Sequence, residues 1–303
     1  MKKRRVIPGE VNHVYQRTAG GVVVFYSLTD YLVFFTIFST VARQEEVTVL
    51  ALSPMPDHLH NACRVQSKEQ LERFVQRYTR AFAQEWNKSR GRKGSLFRRK
   101  FGSVPKTGDN QVRALINYVN NNGPERKLCR KAEDYRWNFL SYAQDEQPYS
   151  APCRLASASA GLRKALAEMH ACFRAGRWVR YAQLDRWMKG LRRTEVQQLA
   201  DAIVCEWNVL EYADAASYYG SIAAMLRSFH GNAGSEDGMV QETDPYSDSV
   251  YEECTRILLS EGYIGSVRQI PGLPRKVKLQ LGRILLGRTN AKPSQLRKYL
   301  HLP

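Results

Sequence analysis

The sequence predicts an α+β protein: an N-terminal antiparallel sheet with helices packed on one face, followed by an all-helical C-terminal region. Three observations carry this reading. Strand-like and helix-like segments alternate through residues 1–145, and the composition turns small, polar and Pro-containing over "DEQPYSAPCRLASASAG" (Asp145 to Gly161). Beyond that point strand signals vanish and helical periodicity takes over. With 303 residues and 43% hydrophobic side chains, the chain has enough apolar material for extended cores.

The elements follow in order. "VNHVYQR" (Val11 to Arg17) is β-prone, Gly20-Gly21 turns the chain, and "VVVFY" follows. Ser27 or Thr29 can cap a helix running to about Arg43. Its apolar run "YLVFFTIFSTVA" is far short of the ~20 residues that span a bilayer, and reads as a buried helix. "VTVLAL" (Val47 to Leu52) is a short, fully apolar strand, joined by a Pro-containing connection to "HLHNACRV". The pattern Ser67-Lys68-Glu69-Gln70 is a capping box, opening an amphipathic helix with Leu71, Phe74, Val75, Tyr78, Phe82 and Trp86 along it. A Gly-rich basic connection with a short strand leads to a last helix, from about Asp109 to Asn122. The divisions read are a domain over 1–145, a linker over 146–161, a helical region over 162–231, a second linker over 232–249 and a basic helical region over 250–303.

Charge points to a polyanionic partner. The chain holds 46 Lys and Arg against 29 Asp and Glu, a formal net charge of +17. Residues 88–106 include eight basic side chains and no acid: Lys88, Arg90, Arg92, Lys93, Arg98, Arg99, Lys100 and Lys106. Phe97 and Phe101 are interleaved, so the segment reads as a surface that tracks phosphates and stacks unpaired bases, with Arg90, Arg92, Lys93, Arg98, Arg99, Lys100 and Lys106 as its DNA contacts. From Gly262 to Pro303 there are nine basic residues and no acidic one. Two short helices joined at "GRTNAKP" make a helix-turn-helix-like unit there, with "PSQLRKYL" as candidate reading helix and Arg297 and Lys298 as its contacts. The "KKRR" at the start is a further candidate arm. Six scattered cysteines without a CxxC spacing read as reduced thiols, and no apolar stretch follows the basic start as in a secretory signal. The expectation is a cytoplasmic, nucleoid-associated protein with no membrane segment.

The stretch "SPMPDHLHNACRV" places His58 and His60 two residues apart. In an extended strand both imidazoles face one way, about 6.5 Å apart at Cα, with Leu59 turned to the core. Two neutral imidazoles so placed can share a divalent cation, although taken alone the pair is a weak signal that better fits a structural or surface role. On "DNQVRALINYVNNN" the core stripe is Val112, Leu115, Ile116 and Val119, and Tyr118 and Asn122 flank it one turn apart. A tyrosine snorkelling its hydroxyl to water is the plain alternative there.

Taken together, "VNHVYQR", "MPDHLH", "GSLFRRKFGS", "INYVNNN" and "DYRWNFLSY" resemble, in that order, the single-tyrosine HUH transposases of the REP-associated tyrosine transposase (RAYT) branch, relatives of small insertion-sequence transposases. The resemblance covers residues 11 to about 142. It implies an HUH, ferredoxin-like sheet; Mg²⁺ or Mn²⁺ held by His58, His60 and Asn122; and Tyr118 as nucleophile. It also implies single-stranded DNA bearing an imperfect hairpin as substrate, a 5′-phosphotyrosine intermediate, no nucleotide cofactor and a possible homodimer. An ordinary phenol, with a pKa near ~10, is a poor nucleophile at neutral pH, so the cation is needed to activate the phosphate. Two departures stand out: Asp57 and Asn61 occupy places where the family usually has an asparagine and an apolar residue, and Gly123 intervenes before Pro124. For Asp57 a turn or capping role ranks above a carboxylate placed near the metal. The rival enzyme is a replication-initiator or relaxase-type nickase, disfavoured because no second tyrosine adjoins Tyr118. The rival of another class is a domesticated, non-catalytic DNA-binding protein, which intact His58, His60 and Tyr118 argue against.

Overall fold

A computed structural model describes residues 6–231 and 247–303; the "KKRR" arm and most of the expected 232–249 linker lie outside the described residues. The first region runs β1 (Val11–Arg17), α1 (Leu28–Gln44), β2 (Thr48–Met55), β3 (His58–Arg64), α2 (Lys68–Ser89), β4 (Gly102–Lys106) and α3 (Asp109–Glu125). The strands form one sheet in the order β2-β3-β1-β4, with every neighbouring pair antiparallel. A two-residue tip, Pro56-Asp57, closes the β2–β3 hairpin.

Local chemistry sets the helix starts. At α1 the Asp30 carboxylate accepts the backbone N–H of Tyr26 (3.0 Å) and of Ser27 (3.1 Å), satisfying donors that the helix leaves open. At α2 the Ser67 hydroxyl accepts Gln70 N–H at 3.0 Å. The extended segment Val22–Tyr26 joins no ladder, because its polar groups are taken singly: Val23 N–H donates to Lys298 O and Val24 N–H to Pro56 O, while Val24 O accepts the Trp86 indole.

The sheet is covered on both faces. Val14, Val49, Leu52, Leu59 and Cys63 face the core shared with α1 and α2. On the opposite face Val11, Ala51 and Ala62 pack against Val112, Leu115, Ile116 and Val119 of α3. The expected helices on one face are α1 and α2; α3 adds a second layer that the reading had not assigned to the other face. The physical signal is in "VTVLAL": a strand without polar alternation is buried on both sides. Small side chains at Ala51 and Ala62 leave room for the helix.

The C-terminal region is helical throughout its described residues: α4 (Ala160–Arg174), α5 (Tyr181–Met188), α6 (Arg193–Trp207), α7 (Tyr212–Ser217), α8 (Ile222–Gly231), α9 (Val250–Ser260), α10 (Arg275–Arg288) and α11 (Pro293–Leu300). Helices α4 to α6 share one core with α1, so the stretch at 146–161 divides element types while the hydrophobic core runs on across it. This is why α1 is buried all round, from Asp30 to Ala42. Ala215 and Ala216 of α7 and Met225 and Phe229 of α8 join the α3 layer, whereas α9 to α11 form a third cluster that also takes in Val23. Among the described residues no helix is long and apolar enough to cross a membrane.

Candidate active site

The α3 side of the sheet gathers the chemistry. Strand alternation turns His13 and Tyr15 of β1 and His58 and His60 of β3 to this face, and β1–β3 pairing sets Tyr15 opposite His60. The His58 and His60 rings lie 4.9 Å apart between centroids. Tyr118 reaches down from α3, its ring edge-on to both His60 (5.3 Å) and His13 (5.5 Å). Tyr118 is 5% exposed and therefore packed into the site rather than snorkelling to water. Asn122, one turn further on, donates its carboxamide N–H to Tyr118 O at 2.9 Å, and its nitrogen is thereby turned into its own helix. The spacing of sixty residues between the histidine strand and the tyrosine helix is thus closed in space.

Hydrogen bonds fix the imidazoles. Asp57 Oδ1 lies 2.6 Å from His58 Nδ1, so that nitrogen is the donor to the carboxylate. His58 Nε2 is buried and has no hydrogen-bond partner among the described groups. His13 Nε2 lies 3.0 Å from His60 Nδ1. An orphaned ring nitrogen whose opposite nitrogen is held by a carboxylate is the arrangement a metal-bound histidine uses. The donor set fits a divalent cation on that ground, although among the described residues no group of three or more His, Cys, Asp or Glu side chains forms a cage for one.

The electrostatics favour neutral rings in a positive surround. Burial pulls the His60 pKa well below its ordinary value, and the nearby His58, His13, Arg126 and Arg17 act in the same direction. Burial likewise takes His13 down to about 3, with Lys106 contributing. Burial alone would raise Asp57, but its hydrogen bond to His58 and the charges of Lys298 and Arg126 outweigh this and hold it ionised well below the usual carboxylate range. Neutral imidazoles are ligands, and flanking cations suit a phosphodiester.

Two backbone features position these groups. A Cβ on Gly123 would sit 2.7 Å from Tyr135 Cβ and Cγ, so only glycine lets the end of α3 lie against the loop whose Tyr135 hydroxyl donates to Pro54 O at 2.7 Å. The helix continues through Pro124 to Glu125, so the inserted glycine leaves Asn122 inside α3. A Cβ on Gly102 would fall 1.9 Å from Cζ of Tyr15, whose ring lies across the edge strand.

The expected DNA contacts are dispersed. Lys93, Arg98, Arg99, Lys100 and Arg297 are exposed, and Arg92 and Lys106 half-buried. Arg98 N–H donates to Arg17 O, and Arg17 pairs with His58 in the sheet register, which sets the Arg98–Lys100 triplet beside the histidines. Arg90 requires correction: its side chain is fully buried, 2.6 Å from Asp30 Oδ1 and stacked over Trp86. It caps the end of α2 as a core ion pair, so it cannot track phosphate. Phe97 likewise anchors the loop in the core instead of offering a ring for stacking, and Phe101 packs partly against the same core. Lys298 is half-buried and 3.2 Å from Asp57 Oδ2. The residues missed in the sequence are His13, Tyr15, Arg17 and Arg126, while Asp57, read there first as a turn or capping residue, is the partner of His58. For the first three, the β-prone alternation of "VNHVYQR" was a usable signal; Arg126 has none.

Residues 24–122 match the family model described as "Transposase IS200 like", a span that contains His58, His60, Tyr118 and Asn122 and leaves out His13 and Lys298. A solved structure, "Structure of the REP associates tyrosine transposase bound to a REP hairpin", is 13% identical, with a TM-score of 0.40; the match covers 45% of this chain and 80% of that one. No curated protein matches the chain.

Proposed function

We propose that the protein cleaves and rejoins single-stranded, hairpin-bearing DNA through a 5′-phosphotyrosine on Tyr118, with His58, His60 and Asn122 holding Mg²⁺ or Mn²⁺. The observation that carries this reading is the Tyr118 ring standing 5.3 Å from that of His60, beside the orphaned Nε2 of His58. When bound, a divalent cation neutralises phosphate charge and polarises the P–O bond. His58 Nε2, a nitrogen of His60 and the carboxamide oxygen of Asn122 are the atoms that would hold it. His13 orients His60, and Asp57 orients His58.

Tyr118 attacks in line: its oxygen bonds to phosphorus, the bond from phosphorus to the 3′-oxygen breaks, and that oxygen leaves as a 3′-hydroxyl. The link conserves the phosphodiester's energy, so attack by another 3′-hydroxyl rejoins strands without a nucleotide cofactor. Burial of Tyr118 limits water as a competing acceptor. Arg98, Arg99 and Lys100 lead the strand to the site, with Lys93, Arg92, Lys106 and Arg297 as outer phosphate contacts. The region over 1–145 supplies the chemistry and 162–303 the packing and flanking contacts.

The test is incubation of the full chain with single-stranded hairpin DNA and Mn²⁺, reading covalent protein–DNA adduct on a denaturing gel. Wild type gives an adduct; Tyr118→Phe gives none, and His60→Ala lowers it at least about 100-fold. An adduct that survives Tyr118→Phe sinks the nucleophile assignment. No adduct with any hairpin in a library favours a DNA-binding protein without catalysis.

A further inference from the structure

We propose that Lys298, carried on α11 of the C-terminal basic region, is a positioning residue of the active site: by pairing with Asp57 it fixes the carboxylate that holds His58 and so aims His58 Nε2. The inference rests on the reading of His58 as a ligand only for its consequence in metal affinity.

The geometry is built from both ends. Asp57 uses one oxygen for each partner, Oδ1 for His58 Nδ1 at 2.6 Å and Oδ2 for Lys298 Nζ at 3.2 Å. Its backbone is pinned at the hairpin tip, where Asp57 O accepts Thr18 N–H at 3.1 Å and the Thr18 hydroxyl at 2.9 Å. Helix α11 is pinned from the other side: Val23 N–H donates to Lys298 O (3.0 Å), the Tyr26 hydroxyl to Tyr299 O (2.5 Å), and His301 Nε2 to Val23 O (2.7 Å). Leu296, Tyr299 and Leu300 are buried beneath it. The Lys298 and Asp57 side chains are 30% and 14% exposed, so the pair is partly shielded from water and its geometry is not left to solvent.

The chemistry follows from the carboxylate. With Oδ2 held, the Asp57 side chain has one orientation in which Oδ1 meets the imidazole N–H. Without the lysine, the carboxylate turns towards water, and His58 loses both its fixed tautomer and its ring orientation. The two elements lie 241 positions apart in sequence, so the basic C-terminal region contributes to the catalytic centre as well as to charge.

The experiment uses the metal-free full chain labelled with ¹⁵N-histidine, the His58 signals being assigned by loss in His58→Gln. Lys298→Met shifts the His58 ring nitrogens away from the single Nδ1–H tautomer, and Lys298→Arg restores it. Lys276→Met, which removes an exposed cation of the same basic region without touching Asp57, leaves the tautomer as in wild type. In parallel, Mn²⁺ affinity read by electron paramagnetic resonance falls about 10-fold in Lys298→Met and stays within about 3-fold in Lys298→Arg. Unchanged His58 signals in Lys298→Met overturn the proposal, as does an equal change in Lys276→Met, which would assign the effect to lost positive charge. Should wild type bind no Mn²⁺ while the His58 tautomer still follows Lys298, the metal reading fails and the positioning role stands.

Discussion

Residues 88–106 and residues 262–303 look alike as sequence, both rich in Lys and Arg and free of acids, yet the fold uses them differently. The first segment splits its charges: Arg90 is sealed in the core against Asp30, whereas Arg98, Arg99 and Lys100 stand exposed beside the sheet end that carries His58. The second is docked along its inner side, with Lys278 bonded to Pro271 O and His301 O and Lys298 to Asp57, while Lys276, Arg283 and Arg297 face solvent. A cation's role is therefore set by the acceptor that the packing presents to it. A count of basic residues gives the partner's charge; it does not say which cations meet that partner.

The sharpest way to break this contrast is at Arg90. Arg90→Met leaves Asp30 buried and without its cation, and thermal or urea unfolding is expected to show a loss of about 3–5 kcal/mol. DNA affinity in the fraction that remains folded stays unchanged. A stable variant with weakened DNA binding would return Arg90 to the DNA surface.

The counterpart is the triple substitution of Arg98, Arg99 and Lys100 by glutamine. If three phosphate contacts are lost, the slope of log affinity against log salt falls by about 2 for single-stranded DNA, and affinity near 0.1 M salt falls on the order of 100-fold. Unfolding free energy should move by less than about 0.5 kcal/mol, because the three side chains are exposed. An unchanged salt slope would remove the triplet from the DNA path.

A smaller effect tests the docking of the second segment. Burial lowers the His301 pKa to about 4, with Lys278, Arg92 and Arg90 acting in the same direction, while its bond to Val23 O opposes them. The folded chain keeps this ring neutral, so the unfolded or undocked chain takes up the proton first. Its stabilisation is complete above about pH 6.5 and is lost as pH falls through that value towards 4. Between pH 7 and pH 5 the cost is about 2 kcal/mol, and His301→Gln should flatten that part of the stability profile. An unaltered profile in the variant would show that His301 does not titrate with docking.

Much of the first region was legible without coordinates. The capping pattern at Ser67, the all-apolar run of α1 and the alternation around His58 and His60 are local features, written within a few residues of where they act. The order of strands and helices and the stripe of α3 follow from the same short-range rules. The second helical layer was less plain, because a fully apolar strand such as "VTVLAL" signals burial on both faces without naming what covers them.

What tertiary structure decided lies in contacts between distant residues. Sequence alone determined the residue types, the net charge and the spacing that puts two imidazoles on one face. Only the folded chain brings Tyr118 to His60, gives His60 a third histidine as neighbour, hides Arg90 and hands Asp57 a lysine from α11. The reason is physical: hydrogen bonds and ion pairs between remote segments depend on how whole layers pack, and no local propensity encodes which acceptor a long side chain will meet.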